Sequence, residues 1–544
     1  MPTVYEAELG KLEEWVLKNS CWLALGITGV AFALRLAYSD YCYLNPDEAI
    51  HFGAARPTSW LETYEASRRV AHPPLFILVL HGILTLGRTE LILRLPSVVS
   101  GTLALWIAFA WMRRSSGELP ALAALSFLAL SPAAISASTE VRQYGLLLCF
   151  VCCSLYATER IFSERSTLWA LAQGFFLLAS LLTHYITIVV ILSLDVYILL
   201  RLIFDRVPRR ILYTIAASHV ALAVVLGWLY FTHIRLPGGP LSSTGMEYLQ
   251  HSYYSKQIES PLGFLWRMVF WTFVRVIGSR KFAFLPMLAF LAGLVAIGKG
   301  RTKAPRLMVI LLLSPFAVGL AAATFRVFPF VGSRHQAYLL PFVAAGISAS
   351  LAWVNGRLAT LLLLVGSITI APLWVVLTKP DNDRRTQSRG DMTRAIEYIH
   401  RVVPQGASLF ADYETRLTLE YYLARDDNSL DRLVPGGVEE SLGGYHVIVP
   451  GDYEWVFRAD KVLEQVNELS HAQGVAPGTP LWIVSAAWAE TSLAARLPAR
   501  ADLDVMEFGR ISVIKTTARR GSGVIGAAVS ENSLGKARCL VRFR

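Results

Sequence analysis

The chain has 544 residues, of which 54% are hydrophobic and only 17% are charged. Soluble proteins carry about 25% charged residues, so this composition is unusual for one of them. Several apolar runs of about 18 to 20 residues are long enough to cross a hydrocarbon core of roughly 30 Å. Length and composition therefore exclude a single soluble domain and predict a polytopic α-helical membrane protein.

The formal net charge of +11 does not indicate nucleic acid as a partner. Basic residues cluster in short loops between apolar runs, for example at Arg113 and Arg114 and in the stretch 299–306. This is the positive-inside pattern of membrane proteins, and it predicts membrane lipids as neighbours. The six cysteines form no disulfide framework, because all but Cys539 lie in or beside apolar segments.

The apolar segments differ in length, and the length decides which of them cross. Residues 73–87 are apolar but short and are interrupted by His81, which favours a helix in the membrane interface over a crossing. The stretch 261–278 is likewise expected to lie along the surface. The predicted crossings, about eleven, are 21–37, 96–111, 119–137, 144–161, 168–183, 186–203, 211–231, 283–298, 307–325, 337–354 and 358–378.

With this count, every strongly basic short loop falls on one side, which the positive-inside rule makes cytoplasmic. Residues 1–20 are then a charged amphipathic helix on the cytoplasmic face, and their acidic side chains argue against a cleavable signal peptide. The first outer loop covers about 38–95. We expect a multi-pass protein of the plasma (inner) membrane whose C-terminal domain is periplasmic or extracellular.

The composition becomes polar from Lys379 onward. Residues 379–516 are predicted to form an external α/β domain that follows a membrane-embedded domain over 1–378. The predicted helices are 391–402 and 415–424, and the predicted strands are 408–411, 446–450, 481–485 and 511–515. The Gly-, Ser- and Arg-rich tail 517–544 is expected to be disordered.

The stretch LNPDEAIHF, residues 44–52, places Asp47 and Glu48 side by side just after the first span. Pro46 ends any helix that leaves the bilayer, and Glu48, His51 and Ala55 then have the spacing of one helix face. An acidic pair at a lipid–water boundary is costly unless it has a partner or a function. The pair is therefore the first candidate site, with simple capping of the following helix as the alternative.

Other polar residues gather at the predicted outer ends of different spans. They are His72 in AHPPLF, Glu140, Arg142 and Tyr144 in STEVRQYG, His184 and Tyr185 in LLTHYIT, and Arg334 and His335 in VGSRHQAYLLP. The predicted cytoplasmic loops carry basic residues with little else. This asymmetry predicts a site on the outer face.

Several of these residues also have a simpler interpretation. His72 is compatible with an ordinary loop before two prolines, and Glu140 with Arg142 is compatible with a structural ion pair. His184 and Tyr185 are compatible with interfacial anchors of the aromatic-belt kind. Their convergence on one side is the argument for function.

An external carboxylate near arginines at lipid depth suits a reaction on a lipid phosphate. Asp47 can take the proton of an acceptor hydroxyl as that hydroxyl attacks. Arg334, unless it only contacts lipid headgroups, can hold a phosphate bidentately and stabilise it as a leaving group. His72, His184 and the carboxylates permit a divalent metal, but no ligand spacing indicates one, so no cofactor is required.

Several stretches together resemble the bacterial members of the dolichyl-phosphate-mannose protein mannosyltransferase family. They are the acidic pair after the first span, HPPLF followed by TELILRLPSVVSG, EVRQY, and THY. The family is glycosyltransferase family 39 with its aminoarabinose-transferase relatives, in the GT-C superfamily. The resemblance covers roughly residues 20–345, and the combination of HPP with RLPS is its most specific part.

The resemblance implies a GT-C catalytic domain over 1–378, a polyprenyl-phosphate-linked sugar donor, and an inverting transfer on the external face. Asp47 matches the essential aspartate, the general base, and Glu48 matches its frequent acidic neighbour. Glu140 falls where such enzymes have a further acid, and Arg334 falls where relatives often have Arg-Tyr. Nothing matches the trefoil domain of the eukaryotic enzymes, so among lipid, glycan and protein acceptors the protein is not favoured.

The candidate residues then divide into three roles. Asp47 and Glu48 are the catalytic candidates, Arg142, Tyr144, Arg334 and His335 are candidates for binding the donor phosphate, and His72, Glu140, His184 and Tyr185 support the acid and the acceptor. Two rival classes are a transporter or lipid flippase and a non-catalytic scaffold of an envelope polysaccharide complex. Transporters place ionisable groups near the bilayer midplane, where we place one acid, Asp195.

Overall fold

The structure is a computed structural model. It describes residues 4–68, 70–205, 207–235, 250–302, 305–330, 332, 334–354, 358–359, 388–424, 431–434, 437–450, 456–486, 491–497 and 503–519. The α-helices in these ranges are α1 (Val4–Lys18), α2 (Ser20–Tyr41), α3 (Pro46–Ala55), α4 (Trp60–Ser67), α5 (Leu75–Ile83), α6 (Glu90–Ser116), α7 (Glu118–Leu130), α8 (Pro132–Thr139), α9 (Tyr144–Glu164), α10 (Thr167–Thr183), α11 (Thr187–Phe204), α12 (Arg209–Leu229), α13 (Pro261–Ile277), α14 (Phe284–Gly298), α15 (Met308–Thr324), α16 (Leu340–Ala349), α17 (Arg389–Val402), α18 (Tyr413–Ala424), α19 (Val462–Ala472) and α20 (Leu493–Arg496).

The chain forms two compact units. The membrane unit comprises Met1–Ser39, Pro57–Gly87 and Leu91–Thr378, and the sheet unit comprises Asp40–Arg56, Arg88–Glu90 and Lys379–Arg544. The division differs from the one expected at residue 378, because both ends of the first outer loop group with the C-terminal domain. Helix α3, which carries Asp47 and Glu48, is therefore part of the sheet unit. The physical reason is direct contact between α3 and α18.

Six helical segments in the described ranges are long and apolar enough to cross a membrane. They are Ser20–Tyr41, Glu90–Ser116, Tyr144–Glu164, Thr187–Phe204, Arg209–Ile234 and Arg334–Trp353. Helices α10, α14 and α15 are shorter apolar helices. The predicted count of eleven is thus not confirmed, and the predicted span 358–378 lies outside the described residues except for positions 358 and 359. The chain is a multi-pass membrane protein.

The segment predicted as a span over 119–137 contains a break, and whether it crosses stays a prediction. Helices α7 and α8 pass the length and hydropathy test together but meet at a bend of 60°. Ser131, between them, has extended angles of φ −63° and ψ 124°. The break lies there because Pro132 pushes the residue before it out of helical conformation and cannot donate a backbone hydrogen bond.

The interfacial segment 73–87 forms only the nine-residue helix α5, which spans about 14 Å and is too short to cross a bilayer. Residues 261–278 form the separate helix α13, which begins at Pro261 behind a Ser260 cap. The prediction that both segments are helices is confirmed. Their placement along the surface stays a prediction.

The C-terminal domain is an α/β domain, as predicted. Its strands are β1 (Ser408–Ala411), β2 (Asp431–Val434), β3 (Gly437–Leu442), β4 (Tyr445–Pro450), β5 (Pro480–Ser485), β6 (Asp504–Phe508) and β7 (Ile511–Thr517). They form one sheet in the order β2-β3-β4-β1-β5-β7-β6, in which β1 runs parallel to β4 and β5. The remaining pairs are antiparallel.

Successive side chains of the central strands point to opposite faces of this sheet, and both faces are buried. Leu409 of β1 packs with Ile399 of α17 and Leu419 of α18, whereas its neighbour Phe410 packs with Val466 of α19. The four predicted strands appear as β1, β4, β5 and β7, while β2, β3, β6 and α19 were not predicted. Strand β7 continues to Thr517, and the rest of the predicted tail, from residue 520, lies outside the described residues.

Candidate active site

The acidic pair lies in the first turn of α3, where the sequence starts a helix in a defined way. Asn45 is the N-cap, Pro46 follows it, and a capping box joins Asn45 to Glu48. The Glu48 backbone N–H donates to Asn45 Oδ1 at 3.1 Å, and the Asn45 N–H donates to Glu48 Oε2 at 3.0 Å. Glu48 is fully buried. Glu48 therefore caps the helix, as the simpler interpretation predicts, and a catalytic role for Glu48 stays a prediction.

Asp47 has a different environment from its neighbour. It is only half-buried, and its backbone carbonyl oxygen contacts Nδ1 of the buried His51 at 2.8 Å. The i to i+4 spacing of the two residues produces this contact on the first turns of the helix. Of the two acids, Asp47 is thus the less buried, and its catalytic role stays a prediction.

A second group of candidates lies in the membrane unit, at the turn that starts α9. The Ser97 hydroxyl of α6 donates to the carbonyl oxygen of Arg142 at 2.8 Å. Gly145 lies so close to α6 that an added Cβ would be 2.5 Å from the carbonyl oxygen of Ser97. Only glycine allows this approach, and it fixes the backbone that presents Glu140, Arg142 and Tyr144.

The RHQAY stretch, a 3-10 helix from Arg334 to Leu339, meets this turn. Arg334 Nη1 donates to Glu140 Oε2 at 3.4 Å, with the two side chains 10% and 21% exposed. The Tyr144 hydroxyl and His335 Nδ1 are 3.3 Å apart and hydrogen-bonded. The Arg142 guanidinium lies 5.7 Å from the centre of the Tyr144 ring. These five residues form one cluster, which we call the arginine cluster.

His184 joins the arginine cluster from the turn between α10 and α11. Its ring centre is 5.6 Å from that of Tyr144, 6.2 Å from that of His335 and 5.3 Å from that of His72. Its Nδ1 accepts a hydrogen bond from the Ile186 N–H at 3.1 Å. The proton of the neutral ring is therefore on Nε2.

The protonation of His184 bears on what the cluster can bind. Burial and, to a smaller extent, the charge of Arg142 lower the pKa of His184 to about 3. The ring is therefore neutral at physiological pH. Its buried Nε2 has no hydrogen-bond partner among the described residues, which leaves an N–H donor beside two arginines.

The structure decides between several earlier alternatives. Glu140 forms an ion pair with Arg334. His184 and Tyr185 are each 3% exposed, which does not fit anchors that face lipid headgroups. Arg334 is mostly buried as well, so contact with headgroups alone does not describe it. His72 is half-buried and contacts His184, as stated above, so it is more than a loop residue.

Two further observations bear on the rival transporter hypothesis and on the question of a metal. Asp195, the acid placed deep in a span, accepts a hydrogen bond from His219 Nε2 at 2.7 Å, so it has a structural partner on the neighbouring helix. Within the described ranges, no group of three or more His, Cys, Asp or Glu side chains is arranged to hold a metal ion.

Sequence reasoning missed residues of α18 that contact the acidic segment. They are Glu420, Tyr421 and Tyr422, which hydrogen-bond to residues on both ends of the first outer loop. A YY pair in a soluble domain carries no local signal for such contacts. Phe328, whose ring lies 6.3 Å from that of His184, was also missed, because a single phenylalanine carries no local signal for a contact either.

The helical membrane unit with a C-terminal α/β domain is the GT-C type of architecture. The structure is similar to that of ArnT from Cupriavidus metallidurans bound to undecaprenyl phosphate, with a TM-score of 0.52 and 16% identity. The similarity covers 93% of this chain and 99% of the ArnT chain. That score shows a common fold. A weaker similarity is to the S. cerevisiae protein O-mannosyltransferase Pmt1-Pmt2 complex bound to the sugar donor, with a TM-score of 0.32 and 17% identity over 46% of this chain and 37% of that chain. Another is to the Archaeoglobus fulgidus oligosaccharyltransferase tethered with an acceptor peptide, with a TM-score of 0.46 and 10% identity over 87% of this chain and 70% of that chain.

A family model matches part of the sequence. Residues 71–231 match the family model described as dolichyl-phosphate-mannose-protein mannosyltransferase. No curated protein matches the chain. The matched range contains His72, Glu140, Arg142, Tyr144 and His184. The chain is thus similar to this mannosyltransferase family over residues 71–231 and shares its fold with ArnT.

Proposed function

We propose that this protein transfers a sugar from a polyprenyl-phosphate-linked donor to an acceptor hydroxyl, with inversion, on the external face of the plasma membrane. Asp47 is the general base in this reaction. Arg142, Arg334, Tyr144 and His335 bind the donor phosphate. Glu140 holds Arg334 in place, and His184 adds a neutral donor.

The arginine cluster is the observation that carries the proposal. Two guanidinium groups, a tyrosine hydroxyl and two imidazoles come together from three separate stretches, and Glu140 pairs with one of the guanidiniums. Guanidinium, hydroxyl and imidazole groups are the donors that bind a phosphate, so the cluster is suited to an anion. Buried arginines bind phosphate strongly, because the guanidinium fork matches two phosphate oxygens and little water competes.

The chemistry follows from these groups. Asp47 accepts the proton of the acceptor hydroxyl while the oxygen attacks the anomeric carbon. The bond between that carbon and the phosphate oxygen breaks, and polyprenyl phosphate leaves with one more negative charge. The arginines stabilise this charge as it develops. A single displacement of this kind inverts the anomeric centre, and it needs no metal because the arginines supply the positive charge.

The proposal is tested with purified protein in lipid nanodiscs and a radiolabelled sugar on undecaprenyl phosphate. This lipid is the first choice because the ArnT structure similar to this chain contains it. Hexose and pentose donors are offered separately, with lipid, glycan and peptide acceptors, in the presence of EDTA. We expect a glycoside of inverted configuration and released polyprenyl phosphate.

Two results would contradict the proposal. Counter-transport of labelled donor without any glycosidic product would favour a flippase. A product of retained configuration would exclude single displacement and with it the role of Asp47 as base. Loss of transfer in EDTA with recovery in a divalent cation would overturn the metal-free step alone.

A further inference from the structure

Helix α18 of the C-terminal domain holds both ends of the first outer loop. The Tyr422 hydroxyl accepts the backbone N–H of Leu44 at 2.9 Å and donates to Glu90 Oε1 at 3.0 Å. Leu44 precedes the acidic helix, and Glu90 is the first residue of α6. One hydroxyl therefore joins two segments that are 46 positions apart in the sequence.

The neighbours of Tyr422 on α18 extend this contact to α3 itself. The Tyr421 hydroxyl donates to the carbonyl oxygen of Arg88 at 2.8 Å, and its ring meets that of Phe52 edge to face with centres 5.1 Å apart. Glu420 accepts from Arg56 at 3.2 Å, with side chains 13% and 12% exposed. A pair this well shielded is screened far less by solvent than a surface salt bridge.

The place on the sheet where this occurs is informative. In open α/β sheets, ligands bind at the carboxyl ends of the parallel strands. Here Tyr43 lies at that edge, where its hydroxyl donates to the carbonyl oxygen of Ala486 at 3.4 Å, directly after β5. The Tyr43 side chain is buried with Met392, Ala395, Ala486 and Ile511. A segment of the chain itself occupies the edge that usually receives a ligand.

The contacted face of α3 is not the face that carries the proposed base. At about 100° per residue, Phe52, Gly53 and Arg56 lie on one side of the helix, and Asp47 lies roughly opposite. Gly53 is close to α18, since an added Cβ would be 4.0 Å from Glu420 Oε1. The domain thus contacts the helix on the side opposite Asp47.

We infer that the C-terminal domain positions the catalytic helix, and that Glu420, Tyr421 and Tyr422 are positioning residues for Asp47. This inference rests on the proposed function for the role of Asp47, whereas the contacts themselves do not. A displacement of a base by about 1 Å can lower turnover by roughly 100-fold. Loss of one contact is therefore expected to reduce kcat while the KM for the donor, which depends on the arginine cluster, stays the same.

The test compares Tyr422→Phe and Glu420→Gln in the full-length protein with two matched controls in the same domain. Tyr445→Phe removes a buried hydroxyl that bonds to Gln405, and Asp460→Asn removes an exposed ion pair with Arg458. Hydrogen exchange of residues 44–56 is measured beside kcat and KM. We expect faster exchange of this segment and a ~10- to 100-fold lower kcat in the first two variants, and neither change in the controls.

The two readouts separate the possible failures. Faster exchange with unchanged kcat would overturn the positioning role, and so would unchanged exchange in Tyr422→Phe. Equal loss of kcat in the controls would show a general effect on folding and would also overturn it. If exchange responds as expected but the wild-type protein transfers no sugar, the contacts stand and only the proposed function fails.

Discussion

Arg334 donates to the carboxylate of Glu140 at 3.4 Å although 194 positions separate the two residues in the sequence. The pair connects the turn before α9 with the 3-10 helix before α16. Because the Glu140 carboxylate holds the guanidinium from one side, the remaining donors of Arg334 have a fixed direction. A guanidinium fixed in this way binds phosphate with less loss of side-chain entropy.

We expect Arg334→Lys to lower kcat/KM for the donor by about 100-fold, because an ammonium cannot replace the fork of a guanidinium. Steady-state kinetics with varied donor concentration measure this. Arg326→Lys, at an exposed arginine of the same unit, is the matched control and should leave the kinetics unchanged. Equal kinetics for Arg334→Lys and wild type would remove Arg334 from donor binding.

The two adjacent acids should respond differently to substitution. Asp47→Asn should lower turnover by about 10²- to 10⁴-fold because the general base is lost, with an unchanged thermal midpoint. Glu48→Gln should be tolerated, since glutamine also completes a capping box. Glu48→Ala should lower the stability of the segment by about 1 kcal/mol. Near-normal turnover in Asp47→Asn would exclude it as the base.

Helices α14 and α16 approach through glycine. A Cβ at Gly293 would lie 1.8 Å from the carbonyl oxygen of Gly346, so Gly293→Ala must push the helices apart. We expect a loss of about 1–3 kcal/mol in the free energy of unfolding, seen as a lower thermal midpoint in detergent. Gly298, on the same helix, has nothing within 4 Å of an added Cβ. Gly298→Ala should be neutral or slightly stabilising, and equal midpoints for both variants would contradict the close approach.

Asp412, at the carboxyl end of β1, makes the stability of the C-terminal domain depend on pH. It accepts the backbone N–H groups of Thr415 and Phe457, but burial dominates and raises its pKa from 3.8 to about 6. The folded state therefore binds the proton more tightly than the unfolded state. The protonated carboxyl stabilises the domain fully below about pH 4, and this contribution is lost as the pH rises through about 6.

The expected size of this effect is about 3 kcal/mol, from a shift of roughly two pH units. Hydrogen-exchange protection of β1 and β5, compared between wild type and Asp412→Asn from pH 4 to 7, measures it, because the asparagine does not titrate. The wild type should lose stability relative to the variant as the pH rises. Asp460, which is exposed and whose pKa is lowered by its bond to Arg458, should not show this loss. A constant difference across the range would contradict the raised pKa.

The sequence predicts the helices and strands of this protein wherever a periodic or apolar pattern is long. The first span at 21–37 appears within Ser20–Tyr41, and the helix after Pro46 appears as α3. The break before Pro132 was missed because the hydropathy is continuous across it. Strands β2, β3 and β6 were missed because they lie toward the edges of the sheet, where apolar runs are short.

By itself, the sequence determined that the chain is a multi-pass membrane protein with an α/β domain, and it indicated which polar residues are unusual. Those properties depend on length, hydropathy and residue type, all of which are local. Only the tertiary structure decided the long-range partners: Glu140 pairs with Arg334, and Tyr422 holds Leu44 and Glu90. Such contacts join residues far apart in the sequence and depend on how the elements pack, so no local pattern encodes them.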